Sequence, residues 1–335
     1  MKFTLPVNGP LDPAATLARY HVWGEDPANH VDDHAFRRVL RLGDRLWPYE
    51  VRWAGGVEDV RLDVDVPGAR GAEVVAAVSA EVAKIFGLAF DLPSFYRFAK
   101  SDPALGELIG PLYGLRPTLA PTGLEMLVGS ISAQQVNLAF AFACRARLVK
   151  RWGTPATIGG RTVYAFPEPR ELSGARIGEF RAMKFSTRKG EYIREVARAI
   201  LSGALGLDRF TDAPNPVVIE AITGIRGLGR WTAEWYLARC LGRGDVCPAG
   251  DLGVRRAFER YYTKGRELAE EAVRRRSRAW GEYRNLGVHY LLAGLRLKLP
   301  VAHVTRGPRP ASPARSERGG CRGPSWARPR ARRGS

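Results

Sequence analysis

The sequence predicts an α+β fold in three parts. A small N-terminal α+β domain of strands and a packed helix covers residues 1–101, a mostly α-helical core covers 102–300, and a basic, disordered tail covers 301–335. Three observations carry this reading. Residues 60–66 alternate apolar and polar, the period of a half-buried strand. From Asp102 onward apolar residues recur at helical spacing. Beyond about Thr305 the periodicity stops, and Pro, Gly, Ser and Arg dominate.

The strand "VRLDVDV" puts Val60, Leu62, Val64 and Val66 on one side and Arg61, Asp63 and Asp65 on the other. Before it, "YEVRWAGGVED" reads as a strand entering a turn at Gly55–Gly56. After it, Val74, Val78, Val82 and Ile85 mark a helical face that stops at Gly87. In the second part, Thr122 and Glu125 are spaced as a capping box that starts a helix at "GLEMLVGSI". "QQVNLAFAFACRARLVKRW" continues as a long helix ending at Gly153. Thr187 is placed to cap "RKGEYIREVARAIL", whose Ile193, Val196, Ala197 and Ile200 form one stripe ahead of Gly203. Asn215 and Pro216 open "VVIEAIT", and "LAEEAVRRRSRAW" and "YRNLGVHYLLAGLRL" complete the helices.

The composition, 45% hydrophobic and 26% charged, is that of a soluble globular chain. The N-terminus has no apolar leader segment, and no apolar run is long enough to cross a bilayer, so a cytoplasmic, nucleoid-associated protein is expected. The formal charge is +18, of which residues 306–335 carry nine arginines against one glutamate. Such a balance suits a polyanionic partner, because cations on phosphates release counterions. Cys144, Cys240, Cys247 and Cys321 are too few and too scattered for a disulfide framework or a local four-thiolate cluster, and read as small buried hydrophobes. No metal site is expected.

The densest motif is "AITGIRGLGRWTAEWYL": a short helix, a tight glycine hairpin and a second helix. Gly227 and Gly229 allow positive φ and close backbone approach. The helix that follows presents unpaired first-turn amides, a seat for phosphate. Arg226 and Arg230 flank the glycines. Trp231 and Trp235, four apart, share one helix face, the spacing of a core stripe. Further on, Gly250-Asp251 precedes "LGVRRAF", so on spacing alone Asp251 reads as an N-cap.

With these residues the chain resembles the helix-hairpin-helix (HhH-GPD) DNA glycosylases, and within them the 3-methyladenine DNA glycosylase II, AlkA-type branch. "GIRGLGRWTAEWYLAR…GRGDVCPAGDLGVRRAF" carries the likeness. "LVGSISAQQVNLAFAFACRARLVKRWG", "TVYAFPEPREL", "STRKGEYIREVARAI" and "WGEYRNLGVHYL" follow in matching order, over roughly residues 102–297. The resemblance implies a two-lobed helical core with a hairpin at 222–240 and a catalytic loop at 245–251.

It places Asp251 at the catalytic position, a role compatible with a helix cap, and leaves Asp245 as a bystander. Trp231, Trp235 and His289 are implied to line the pocket for a flipped base, His289 standing where relatives often carry a large aromatic. Gln135 aligns with the residue that wedges into the duplex. By local spacing, Gln134 and Gln135 read equally as a cap with Ser132 or as minor-groove hydrogen-bonders. Gly227, Gly229, Arg230 and Thr232 join Gln134 and Gln135 as DNA-binding residues.

Bifunctional relatives carry a lysine nucleophile where this chain has Trp231, so no lyase step is expected. Lys184 and Lys189 are read as surface or phosphate contacts. The implied activity is hydrolytic removal of alkylated purines from double-stranded DNA by a monomer without redox or organic cofactor. A monovalent cation on the hairpin carbonyls is part of the same resemblance. Two alternatives stay open: an oxidised-base glycosylase of the 8-oxoguanine type, and a non-catalytic damaged-DNA-binding module.

Overall fold

The computed structural model describes residues 1–300; the expected tail and Cys321 lie outside them. The N-terminal sheet is antiparallel: β1 (Lys2–Leu5), β2 (His30–Asp32), β3 (Ala35–Leu42), β4 (Arg45–Ala54) and β5 (Arg61–Asp65), in the order β1-β5-β4-β3-β2. The predicted alternation holds, since Leu62 and Val64 are buried opposite Trp53 and Val51 of β4. The glycine turn also forms. Gly55 has φ +98, a Cβ there would lie 2.7 Å from the Asp59 carbonyl, and the Asp59 carboxylate accepts the Gly56 N–H at 2.7 Å. Two short helices, α1 (Pro13–Leu17) and α2 (Arg19–Val22), precede β2. α3 (Ala72–Ile85) buries Val74, Val78, Val82 and Ile85 against the sheet.

The remaining helices are α4 (Leu92–Ala99), α5 (Leu105–Ile109), α6 (Gly123–Ala133), α7 (Leu138–Trp152), α8 (Pro169–Gly174), α9 (Ile177–Ala182), α10 (Thr187–Leu201), α11 (Asn215–Thr223), α12 (Arg230–Arg239), α13 (Leu252–Tyr262), α14 (Glu270–Ser277) and α15 (Arg284–Arg296). They form two lobes. One core gathers Leu127, Ile131, Leu148, Ile193, Val196 and Leu237 from α6, α7, α10 and α12. The other gathers Phe95, Leu105, Phe258 and Leu291 from α4, α5, α13 and α15. Trp235 packs against both. Leu92–Ala99, which the sequence reading assigned to the first domain, belongs to the second helical core.

Several local expectations are corrected. The long helix from Gln134 does not form: Gln135 has φ +56, and α7 starts at Leu138, capped by Asn137 Oδ1 on the Phe140 N–H at 2.9 Å. The Ser132 hydroxyl donates to the Val128 carbonyl, so no capping box with Gln135 exists. α10 is capped by Ser186 rather than Thr187. Thr122 caps α6, but the Glu125 carboxylate turns inward to Arg38 and Arg145 instead of back to the cap. α11 does open at Asn215 and Pro216 as read, with the Asn215 amide donating to Asp245 at 3.0 Å. The helical stretch is interrupted by an unpredicted hairpin, β6 (Thr154–Ile158) and β7 (Arg161–Ala165), turning at Gly159–Gly160, both at positive φ. Its Ile158, Val163 and Ala165 pack on Val39 of β3.

Buried charge welds the sheet to the helices. Arg38 of β3 pairs with Glu81 of α3 at 3.1 Å and with Glu125 of α6. Arg145 of α7 pairs with Asp26 at 2.6 Å and Glu125 at 3.1 Å. Arg116, fully buried, donates to the backbone carbonyls of Asn8, Pro10, Gly87 and Phe90 at 2.7–3.1 Å. Among the described residues no helix is long and apolar enough to cross a membrane.

Candidate active site

The site is built where the hairpin, α12 and the start of α13 converge. Gly227 has φ +91, and a Cβ there would lie 2.3 Å from the Tyr192 ring, so only glycine fits. Gly229 differs from expectation: it is extended (φ −111, ψ −179), with open space where a Cβ would point. Its bareness exposes rather than bends the chain, and the first turn of α12 carries no side-chain cap.

Asp251 stands at the helix cap its spacing predicts, with its second oxygen turned to the two tryptophans. Its Oδ1 caps α13 by accepting the Val254 N–H at 3.0 Å. Its Oδ2 accepts the indole N–H of Trp231 at 2.7 Å and of Trp235 at 3.2 Å. Three donors thus fix one carboxylate, which has roughly four lone-pair sites. The turn before it is tied by the Asp251 N–H on the Pro248 carbonyl at 3.0 Å, above the buried Cys247 and Ala249. Asp245, the bystander, is held by Asn215.

Around this carboxylate lies a cleft of about 660 Å³ between the lobes, lined by Trp231, Trp235, Asp251 and His289. His289 faces Arg239 across 3.4 Å; because a guanidinium only donates, its Nδ1 accepts. Burial, then the charges of Arg239, Arg296 and Arg19, hold its pKa well below the usual histidine value, so it is a neutral wall. Arg239 is buried and, among the described residues, has no carboxylate partner. It donates to Asn285 and to the Ala238 carbonyl, and burial, reinforced by Arg19, pushes its pKa down to about 9. Its guanidinium lies 5.2 Å from the Trp235 ring centroid, so that ring already carries a cation.

The other expected DNA contacts divide. Gln135 is exposed at the tip of a loop, and Val136, Leu138 and Phe140 beside it are exposed apolar residues. Gln134 instead braces the hairpin, its Nε2 donating to the Gly227 carbonyl at 2.9 Å. Arg230 is more than half exposed and pairs with Glu234 at 2.8 Å. Thr232 is 1% exposed, so its side chain lies in the core and meets no phosphate. Lys184 is exposed, but Lys189 is not a surface contact: its Nζ donates to the Ser132 carbonyl at 2.8 Å. Cys144, Cys240 and Cys247 are buried, as read.

Sequence reasoning missed Arg239, Leu292, Tyr20 and Trp23, all of which line the cleft. Leu292 lies beside Gly253, close to Asp251. Tyr20 and Trp23 come from the N-terminal domain, and no local motif links them to residues two hundred positions away.

The model of the HhH-GPD superfamily base excision DNA repair protein matches residues 128–282, a span that contains the hairpin and Asp251. A DNA-3-methyladenine glycosylase of Bacillus subtilis is 29% identical over 206 residues, covering 62% of this chain and 68% of its own. The solved 3-methyladenine DNA-glycosylase of Archaeoglobus fulgidus superimposes with a TM-score of 0.79 at 26% identity, covering 88% of this chain and 98% of that one. The 3-methyladenine DNA glycosylase Mag1 of Schizosaccharomyces pombe, solved in complex with abasic DNA, has a TM-score of 0.52 at 25% identity, covering 59% and 94%. Residues 128–282 thus match the HhH-GPD superfamily of base excision DNA repair proteins, and the chain is similar to DNA-3-methyladenine glycosylases.

Proposed function

We propose that this protein is a monofunctional DNA glycosylase that flips an alkylated purine, chiefly N3-methyladenine and similar lesions, out of double-stranded DNA and hydrolyses its glycosidic bond. The observation that carries the reading is Asp251. Two indole N–H groups and a helix N-terminus fix its carboxylate at the edge of a largely apolar cleft. Breaking the N9–C1′ bond sends the electron pair out with the base and leaves positive charge on the sugar. A fixed anion stabilises that charge. The free lone pair of Asp251 orients a water and takes its proton as the water oxygen bonds C1′. The product is an abasic site.

The supporting cast follows from position. Trp231 offers its ring to the flipped base. Gln135 at its exposed tip, with the apolar side chains beside it, fills the gap left in the stack. The first-turn amides of α12, bared by Gly229, take a backbone phosphate. Oxygen donors of the hairpin suit the weakly held monovalent cation that the resemblance implies. The Ile225 and Gly227 carbonyls each accept one hydrogen bond, leaving each a second lone pair.

A lyase step needs an amine at C1′. Among the described residues no lysine lines the cleft. The protein is then expected to act as a monomer, on the nucleoid. Borohydride added during turnover tests this: no covalent protein–DNA adduct is expected, and the strand stays intact until alkali cuts the abasic site. A trapped adduct would contradict the monofunctional reading.

A further inference from the structure

We propose that the cleft contains, beside the Trp231–Asp251 face, an apolar chamber that accepts the substituent of a purine alkylated with a group larger than methyl, such as benzyl. This rests on the reading of the site as a glycosylase cleft. About 660 Å³ is the size of pocket that houses drug-sized molecules, whereas a purine is only two fused rings. The surplus is walled by Tyr20 and Trp23 of the N-terminal domain, Met126 and Gly129 of α6, and Phe142 of α7. Asp26, Glu125 and Arg145 also border it, but Arg145 pairs with both carboxylates at 2.6 and 3.1 Å and Arg38 pairs with Glu125 as well, so each of these charges is already engaged.

Gly129 provides the room. It sits in the interior of α6, where glycine weakens a helix relative to alanine. Three other helical glycines are forced by packing. A Cβ at Gly123 would lie 2.5 Å from Tyr236 Oη, one at Gly287 2.7 Å from Trp280, and one at Gly294 2.7 Å from Tyr261 Oη. At Gly129 it would meet nothing within 4 Å. Packing does not demand the glycine; its missing side chain keeps the cavity open. Next to it Ser130, 4% exposed and lining the same cavity, has a hydroxyl with no hydrogen-bond partner among the described residues. Buried hydroxyls seldom go unpaired without a reason.

The test compares release of N7-methylguanine and N7-benzylguanine from otherwise identical duplexes. Both bases are cationic, so the pair varies size and holds charge constant. Wild type is expected to release the two at rates within tenfold of one another; a wider gap against benzyl overturns the chamber. Gly129→Leu is expected to lower the benzyl-to-methyl rate ratio at least tenfold, and an unchanged ratio overturns it. Should the leucine variant fail to fold, Gly129→Ala, whose methyl enters open space, carries the test: a ratio lowered about threefold supports the chamber, and an unchanged one removes it. Release of N7-methylguanine alone sinks only the chamber. Release of neither base by a wild-type protein that frees 3-methyladenine from methylated duplex DNA also sinks only the chamber; release of none of the three sinks the glycosylase reading, and the chamber with it.

Discussion

At the scale of single residues, Asp251 concentrates two demands that ordinarily compete. As a cap it serves α13, and as an acceptor it serves two tryptophans. Asparagine caps helices nearly as well as aspartate. The asparagine amide has a single acceptor oxygen, so with the cap kept its NH2 faces the two indole N–H groups; Asp251→Asn is expected to cost about 1–3 kcal/mol in melting free energy, while base release falls by roughly 10² or more. His289 makes a separate prediction about pH. Its folded pKa is well below the roughly 6.5 of the unfolded chain, so above pH 6.5 neither state binds a proton there. Below it the unfolded state gains a proton that the folded state refuses. Stability is lost as pH falls, by up to about 1.4 kcal/mol per pH unit from this residue. Chemical denaturation of wild type and His289→Gln at pH 7 and pH 5.5 checks it: the variant should show the flatter dependence.

At the scale of elements, the hairpin's two glycines are unlike despite their shared motif. Gly227→Ala must place a methyl in the Tyr192 ring at φ +91 and is expected to cost about 2–4 kcal/mol. Gly229→Ala meets open space and should leave stability within about 1 kcal/mol, yet weaken DNA binding by covering the first turn of α12. Thermal melts beside a binding titration separate the two. The sequence made the hairpin, α3, β5 and the Asp251 turn legible, because each is written in neighbouring residues. It did not reveal that Gln135 breaks the helix. Nothing in "SAQQVN" announces a glutamine at positive φ, and Asn137, two residues on, is the better cap. Thr232 was misplaced for a related reason: the glycine motif fixes where α12 starts but not which of its faces is buried. The β6–β7 hairpin escaped notice because its partner, Val39, is more than a hundred residues away.

At the scale of the molecule, the N-terminal domain is part of the site rather than an appendage. Arg116, Arg38 and Arg145 tie it to both helical lobes, and Tyr20 and Trp23 complete the cleft. Removing one partner of a buried pair strands the others: Glu125→Gln leaves Arg38 and Arg145 short of their shared carboxylate, and should cost about 3–5 kcal/mol in denaturant unfolding. A loss under 1 kcal/mol would mean that the weld does not hold the lobes. These long-range ties could not be read from the chain, since a buried arginine looks like any other among 44.

The role of Asp251 is tested most directly by free base released from methylated duplex DNA under single-turnover conditions by the wild-type protein and by Asp251→Asn. The expected result is release of 3-methyladenine without strand cleavage by wild type, with a folded, DNA-binding variant at least 10²-fold slower. Equal release by the two proteins, or none by either, would contradict the role given to Asp251.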